Sequence, residues 1–188
     1  SMNRPLEYKP NTVGRYRNCD PLILGYIIKQ TVESQDEEYF TFPQRALFDK
    51  IGIRKMVLEA DPYGNFLMTG HVYGTARNWA RLGLLHLQNG LWQGKRILPS
   101  GWVDFVRSPA PAWEDGRYGG LFWLNPNRDS GLPTDAYSME GLADQLTFIV
   151  PSYDLVIVRM GHFSYEYEAE SLVKVNQQII SGIQRRVS

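Results

Sequence analysis

The hydrophobic pattern of this chain changes period near Pro111, from helical spacing before it to short alternating runs after it. The most regular stretch is Ala76, Trp79, Ala80, Gly83, Leu84 and Leu87, a strict helical stripe. Thr75 precedes it as a capping residue and Asn89-Gly90 stops it. Upstream, Leu22-Ile23-Leu24-Gly25-Tyr26-Ile27-Ile28 is apolar on nearly every side, which predicts a mostly buried helix from Pro21 to about Glu33. Asp20 is the expected cap of that helix, and Pro21 suits the first helical position, where no donor is needed. Phe42, Ala46, Leu47 and Ile51 approximate another helical stripe ending at Gly52, and Pro99 to Val106 reads as a short helix. Between them, 54–74 reads as irregular, with Asp61-Pro62 and Tyr63-Gly64-Asn65 as turns, and Leu91 to Arg96 as a tight polar turn.

Beyond Pro111, Tyr118 to Leu124, Gln145 to Val150 and Leu155 to Met160 are short β-branched or aromatic runs that predict strands. Pro151-Ser152-Tyr153-Asp154 is a compact connection between the last two, and both faces of the final strand should be largely covered. A closing helix is expected from the apolar face Ala169, Leu172, Val173, Ile179, Ile180 and Ile183. Helices, then antiparallel strands, then a helix is an α+β order. The organisation is an extended lead-in over 1–15, with Ser1-Met2 read as an expression scar, a mainly helical region over 16–111, and strands plus the closing helix over 112–188.

Composition narrows the chemistry. Lysine plus arginine and aspartate plus glutamate balance at 20 each, with no basic stripe, so nucleic acid and anionic membranes are poor candidate partners. No apolar run approaches a membrane span, and no signal peptide opens the chain. Cys19 is the single cysteine and His71, His86 and His162 lack ligand spacing, so neither a disulfide framework nor a metal site is expected. No cofactor is expected either. Tyr16 and Asn18, held just before a rigid helix, suit a catalytic loop and equally suit a hydrogen-bonded turn.

Three blocks decide between those readings. Tyr16-Arg17-Asn18 precedes the helix containing Leu24-Gly25-Tyr26-Ile27-Ile28. Gly74-Thr75-Ala76-Arg77-Asn78-Trp79-Ala80-Arg81-Leu82-Gly83 is followed by Leu91-Trp92-Gln93-Gly94-Lys95-Arg96-Ile97-Leu98. Met139-Glu140-Gly141-Leu142-Ala143-Asp144-Gln145 leads into Pro151-Ser152-Tyr153-Asp154-Leu155-Val156-Ile157-Val158-Arg159. In this order the chain resembles the serine β-lactamase and penicillin-binding-protein family, in its class C-like esterase and 6-aminohexanoate-oligomer hydrolase branch. The resemblance implies a partial β-lactamase/transpeptidase-like fold and an acyl-enzyme mechanism using serine, lysine and tyrosine. It makes Tyr16 the proton-transfer residue, Asn18 a binding amide and the Leu142 backbone N–H an oxyanion donor, with Gly141, Ala143 and Gln145 against the substrate.

The family's Ser-x-x-Lys would lie upstream of Tyr16. The match present, Ser171-Leu172-Val173-Lys174, sits in the closing helix, where the amphipathic pattern already explains it. Met139 stands where relatives carry a lysine or histidine, and Glu140 and Asp144 add negative charge, which favours a neutral or cationic ester or amide substrate over an anionic lactam. Without the upstream half the sheet is expected to have an open edge and an uncovered apolar face, to be filled by that half or by self-association. A non-catalytic binding or oligomerising module is the alternative, and a glycosidase with paired carboxylates comes third. Trp79, Trp92, Trp102 and Trp123 fit the core better than a sugar cleft.

Overall fold

The computed structural model describes residues 5–127, 130–161 and 168–183, with backbone alone at 168 and 169. Ser1-Met2, His162 and the Ala169 side chain lie outside the described residues. The architecture is a four-stranded antiparallel sheet with helices on both faces. Its strands are β5 (Trp123–Leu124), β6 (Tyr137–Gly141), β7 (Gln145–Val150) and β8 (Leu155–Arg159), in that spatial order. Two further antiparallel pairs precede it: β1 (Met56–Leu58) with β2 (Val72–Gly74), and β3 (Leu91–Trp92) with β4 (Lys95–Arg96). The helices are α1 (Cys19–Glu33), α2 (Ala76–Leu87), α3 (Trp102–Arg107) and α4 (Glu168–Ser181).

Strand alternation sorts the side chains into two layers. Tyr137 and Ile149 turn to the face where Val103, Val106 and Phe122 pack, with Leu87 and Met139 at its border. Leu146, Phe148 and Val150 turn to the opposite face, with Leu155, Ile157, Leu172 and Ile180. The helix α2 approaches the sheet where it carries glycine: a Cβ at Gly83 would stand 2.6 Å from Val156 Cγ1. Thr75 caps this helix, its hydroxyl accepting from the Asn78 N–H at 3.2 Å. A separate cluster of Phe48, Ile51, Ile53, Leu82 and Leu85 fills the other side of α2, and Trp79 and Trp92 pack against it as expected.

Several expectations need correction. The cap of α1 is Asn18, not Asp20, and the Asn18 side chain makes no cap bond. Pro21 is therefore the third helical residue, still within the turn whose N–H groups have no helical acceptor. The helix is not mostly buried. Gly25 and Val32 are covered, by Met68 and by Tyr39 and Phe66, and Lys29 donates to the carbonyls of Tyr63 and Gly64. Leu24, Ile27 and Ile28, spaced i, i+3 and i+4, are 46%, 52% and 41% exposed. An almost wholly apolar run predicts burial, yet no segment among the described residues covers that face.

The 54–74 stretch is not wholly irregular, since β1 and β2 pair Met56 with Gly74 and Leu58 with Val72. The stripe ending at Gly52 forms a π-turn over Gln44–Phe48 and a 3-10 turn over Asp49–Ile51, not an α-helix. The strand expected from Tyr118 shrinks to Trp123–Leu124, because Gly119 and Gly120 bend back against Val106. At the other end of the sheet, β8 pairs with β7 alone among the described residues, which leave its outer edge unpaired.

Candidate active site

The loop before α1 is held by charge and by aromatic stacking. Arg17 lies 3.5 Å from Glu7 and 3.4 Å from Asp20, and Gly14 N–H donates to the Ala112 carbonyl at 2.8 Å. These contacts set Tyr16 on Trp123, with ring centroids 5.5 Å apart and nearly parallel, and edge-on to Tyr118 at 5.8 Å. Trp113 closes the group, 5.0 Å from Tyr118 and 6.0 Å from Trp123. Each such pair contributes on the order of 0.5–1.5 kcal/mol beyond area burial. Tyr16 as a residue is still 55% exposed. The neighbouring Tyr118 phenol is different: burial, with Tyr16 and Asp20 adding to it, pushes its pKa up to about 12. Tyr118 therefore stays neutral at ordinary pH and serves as a wall. The Asn18 amide is exposed, so it is open to an external partner.

Trp123 pairs with Ser138 of β6, so the loop docks beside the strand that leads into Leu142. The β6–β7 connection is Leu142-Ala143-Asp144, with Ala143 and Asp144 at φ of 59° and 53°. Two consecutive left-handed residues without glycine need support. Arg159 Nη1 supplies it by donating to the Asp144 carbonyl at 2.7 Å and the Ala143 carbonyl at 3.4 Å. Gln145 Nε2 donates to the Ala143 and Gly161 carbonyls, and its Oε1 accepts from the Gly161 N–H at 3.0 Å. Gln145, expected to contact substrate, thus has its amide taken up in tying the hairpin to the end of β8. Leu142 itself is 92% exposed, and its N–H donates to no group among the described residues. Gly141 pairs with Gln145 at the strand end, and Ala143 forms the turn.

Below the hairpin lies a cavity of about 290 Å³, lined by Trp123, Ser138, Glu140, Asp144 and Leu172 among others. Ser138 Oγ donates to Glu140 Oε1 at 2.6 Å. Desolvation, with the Asp144 charge adding to it, raises the Glu140 pKa, and the Ser138 hydrogen bond opposes the rise. Met139 turns the other way, into the packing between two core clusters, so it presents nothing to this cavity. Lys174 points to Glu170, 3.3 Å away on the exposed side of α4. Among the described residues no three His, Cys, Asp or Glu side chains are grouped to hold a metal ion.

The structure therefore joins Tyr16 to the flank of β6 at Ser138, four residues before Leu142, whose N–H has no acceptor among the described residues. The sequence reading missed the wall around Tyr16 and the Arg159 clamp. The spacing of Trp113, Tyr118 and Trp123, five residues apart, was the available signal for the wall. Trp123 was expected in the core and instead carries Tyr16, and Trp102 is exposed on α3.

No family model matches the chain. An uncharacterised protein of Alkalihalophilus pseudofirmus is 32% identical over 99 residues, spanning 47% of this chain and 30% of that protein. A Bacillus anthracis protein described as a 6-aminohexanoate-dimer hydrolase superposes at a TM-score of 0.74 with 22% identity, over 93% of this chain and 45% of its own. A Bacteroides dorei protein described as a β-lactamase gives 0.71 and 13%, over 97% and 61%. A Mycobacterium bovis β-lactamase gives 0.73 and 12%, over 93% and 66%. The chain thus has the α+β fold of the β-lactamase-like proteins, over a stretch about half to two-thirds as long as the solved structures that share it.

Proposed function

We propose that this chain is the part of a β-lactamase-related serine hydrolase that carries the tyrosine wall and one oxyanion donor. The nucleophilic serine and its lysine then lie on polypeptide outside this chain. The carrying observation is α1. Its N-terminus presents Tyr16 and Asn18, while its Leu24-Ile27-Ile28 face lies open. A protein layer seated on that face would bring a nucleophile next to the Tyr16 phenol.

In this reading the serine Oγ attacks the carbonyl of an ester or amide, and its proton passes to the Tyr16–lysine pair. The Leu142 N–H and the N–H of the nucleophile donate to the developing oxyanion. Collapse expels the leaving group with a proton from Tyr16, and water then hydrolyses the acyl-enzyme. Asn18 holds the substrate amide or the lysine. Glu140 and Asp144 at the cavity favour a substrate that is neutral or cationic there.

The chain alone is expected to hydrolyse no short p-nitrophenyl esters and to form no adduct with a fluorophosphonate probe, read by intact-mass spectrometry. A stoichiometric adduct on Ser171 would place the nucleophile in α4 and overturn the reading. The open β8 edge, together with the α1 face, favours a second reading: a catalytically inactive module that pairs with its own copy. Sedimentation separates the two. Self-association that Ile28→Lys weakens about tenfold or more supports pairing through α1, and a stable monomer at high concentration counts against it.

A further inference from the structure

A second recess, of about 520 Å³, lies between the turn at Gly52 and the start of α2. It is lined by Gly52, Arg54, Lys55, Thr75, Asn78 and Arg81. Three cationic residues and no carboxylate line it, in a chain whose charges balance overall. Several other arginines are engaged: Arg15 and Arg17 with Glu7, Arg45 with Glu37, Arg107 with Asp104, and Arg159 with the hairpin carbonyls. Arg54, Lys55 and Arg81 make no side-chain hydrogen bond or ion pair among the described residues. Arg81 is moreover half-buried as a residue, and its guanidinium has no acceptor among the described residues.

The recess is also built. Thr75, Asn78 and Arg81 are spaced three apart on one face of α2. Asn78, which is buried, donates through Nδ2 to the Lys55 carbonyl at 2.6 Å, fastening the loop that carries Arg54 and Lys55 to the helix that carries Arg81. Left-handed Gly52, with φ of 73°, borders Arg81 Nε without a side chain of its own.

We propose that this recess is a binding site for a phosphate dianion, either free or as a phosphomonoester. Two guanidinium groups and an ammonium, supplied by one loop and one helix, match the several oxygens of a tetrahedral dianion, and a single carboxylate would leave cations in excess. The cations are confined to one recess, with no stripe along the surface, which fits a small ligand better than a polymer.

The test is calorimetric titration of the whole chain with inorganic phosphate and with phenyl phosphate, at matched ionic strength, with benzoate as the monoanion control. Saturable phosphate binding is expected, about tenfold or more weaker in Arg81→Gln and in the Arg54→Gln/Lys55→Gln pair, and unchanged in Lys95→Gln. Arg54 and Lys55 are exposed, so their variants keep the fold, as circular dichroism would verify. Tighter binding of one probe identifies the source of the phosphate. Absence of saturable binding, equal binding of benzoate, or affinity unchanged in both sets of variants would overturn the site.

Discussion

In the serine hydrolase proposed above, Tyr16→Phe is expected to lower kcat by about 10²–10⁴-fold with little change in KM, the usual weight of a positioned proton-transfer group. The substitution removes one oxygen and leaves the ring. Its stacking on Trp123 at 5.5 Å and its edge contact with Tyr118 at 5.8 Å are ring contacts and survive. Stability should therefore stay within about 0.5 kcal/mol of the parent, since more than half of the residue is exposed. Tyr118→Phe is the matched comparison. Burial holds the Tyr118 pKa at about 12, so its phenol is neutral at assay pH and is not available as a base. Steady-state kinetics of the two variants separate the roles. An unchanged kcat in Tyr16→Phe would reduce Tyr16 to a member of the aromatic wall.

Gly83→Val is expected to destabilise the chain by about 2–3 kcal/mol, read as a lower urea midpoint with an unchanged slope. A Cβ at Gly83 would meet Val156 Cγ1 at 2.6 Å, Thr147 Cγ2 at 3.1 Å and Val156 Cγ2 at 3.3 Å. Both neighbours are β-branched and stiff at χ1, and both sit in paired strands, so neither can swing aside. The helix must then lift from the sheet. Valine improves intrinsic helix propensity over glycine by only a few tenths of a kcal/mol, too little to offset this. Adding Val156→Ala removes the closest and third-closest methyls, leaving Thr147 Cγ2, and should recover part of the loss, giving a non-additive double-mutant cycle. Wild-type stability in Gly83→Val would mean that α2 and the sheet are not closely packed at this point.

Local signals were legible where neighbours in sequence are also the physical partners. Thr75 and the stripe to Leu87 specify α2 because cap, period and stop all act within a few residues. Gln145 to Val150 and Leu155 to Met160 were readable as strands, the second forming over Leu155–Arg159, with Asp154 in the left-handed turn between them. The pairing of β1 with β2 was not legible, because three-residue strands joined by a long loop carry almost no local signal.

The candidate site divides along the same line. The motif order marked Tyr16, Asn18 and the hairpin around Leu142, but not what holds them. The stack of Tyr16 on Trp123 brings together residues more than a hundred positions apart, and the Arg159 clamp on Ala143 and Asp144 exists only once β7 and β8 have paired. The same holds for the recess between Lys55 and Arg81, which depends on the Asn78 hydrogen bond.

The sequence by itself determined the helix periods, the strand runs, the balanced charge and the order of the three motif blocks. Only the tertiary structure decided which apolar faces find a partner. The run Leu22 to Ile28 lies in the helix that its local start signal and apolar pattern predict. Whether Leu24, Ile27 and Ile28 are buried depends on a second surface, and among the described residues none covers them.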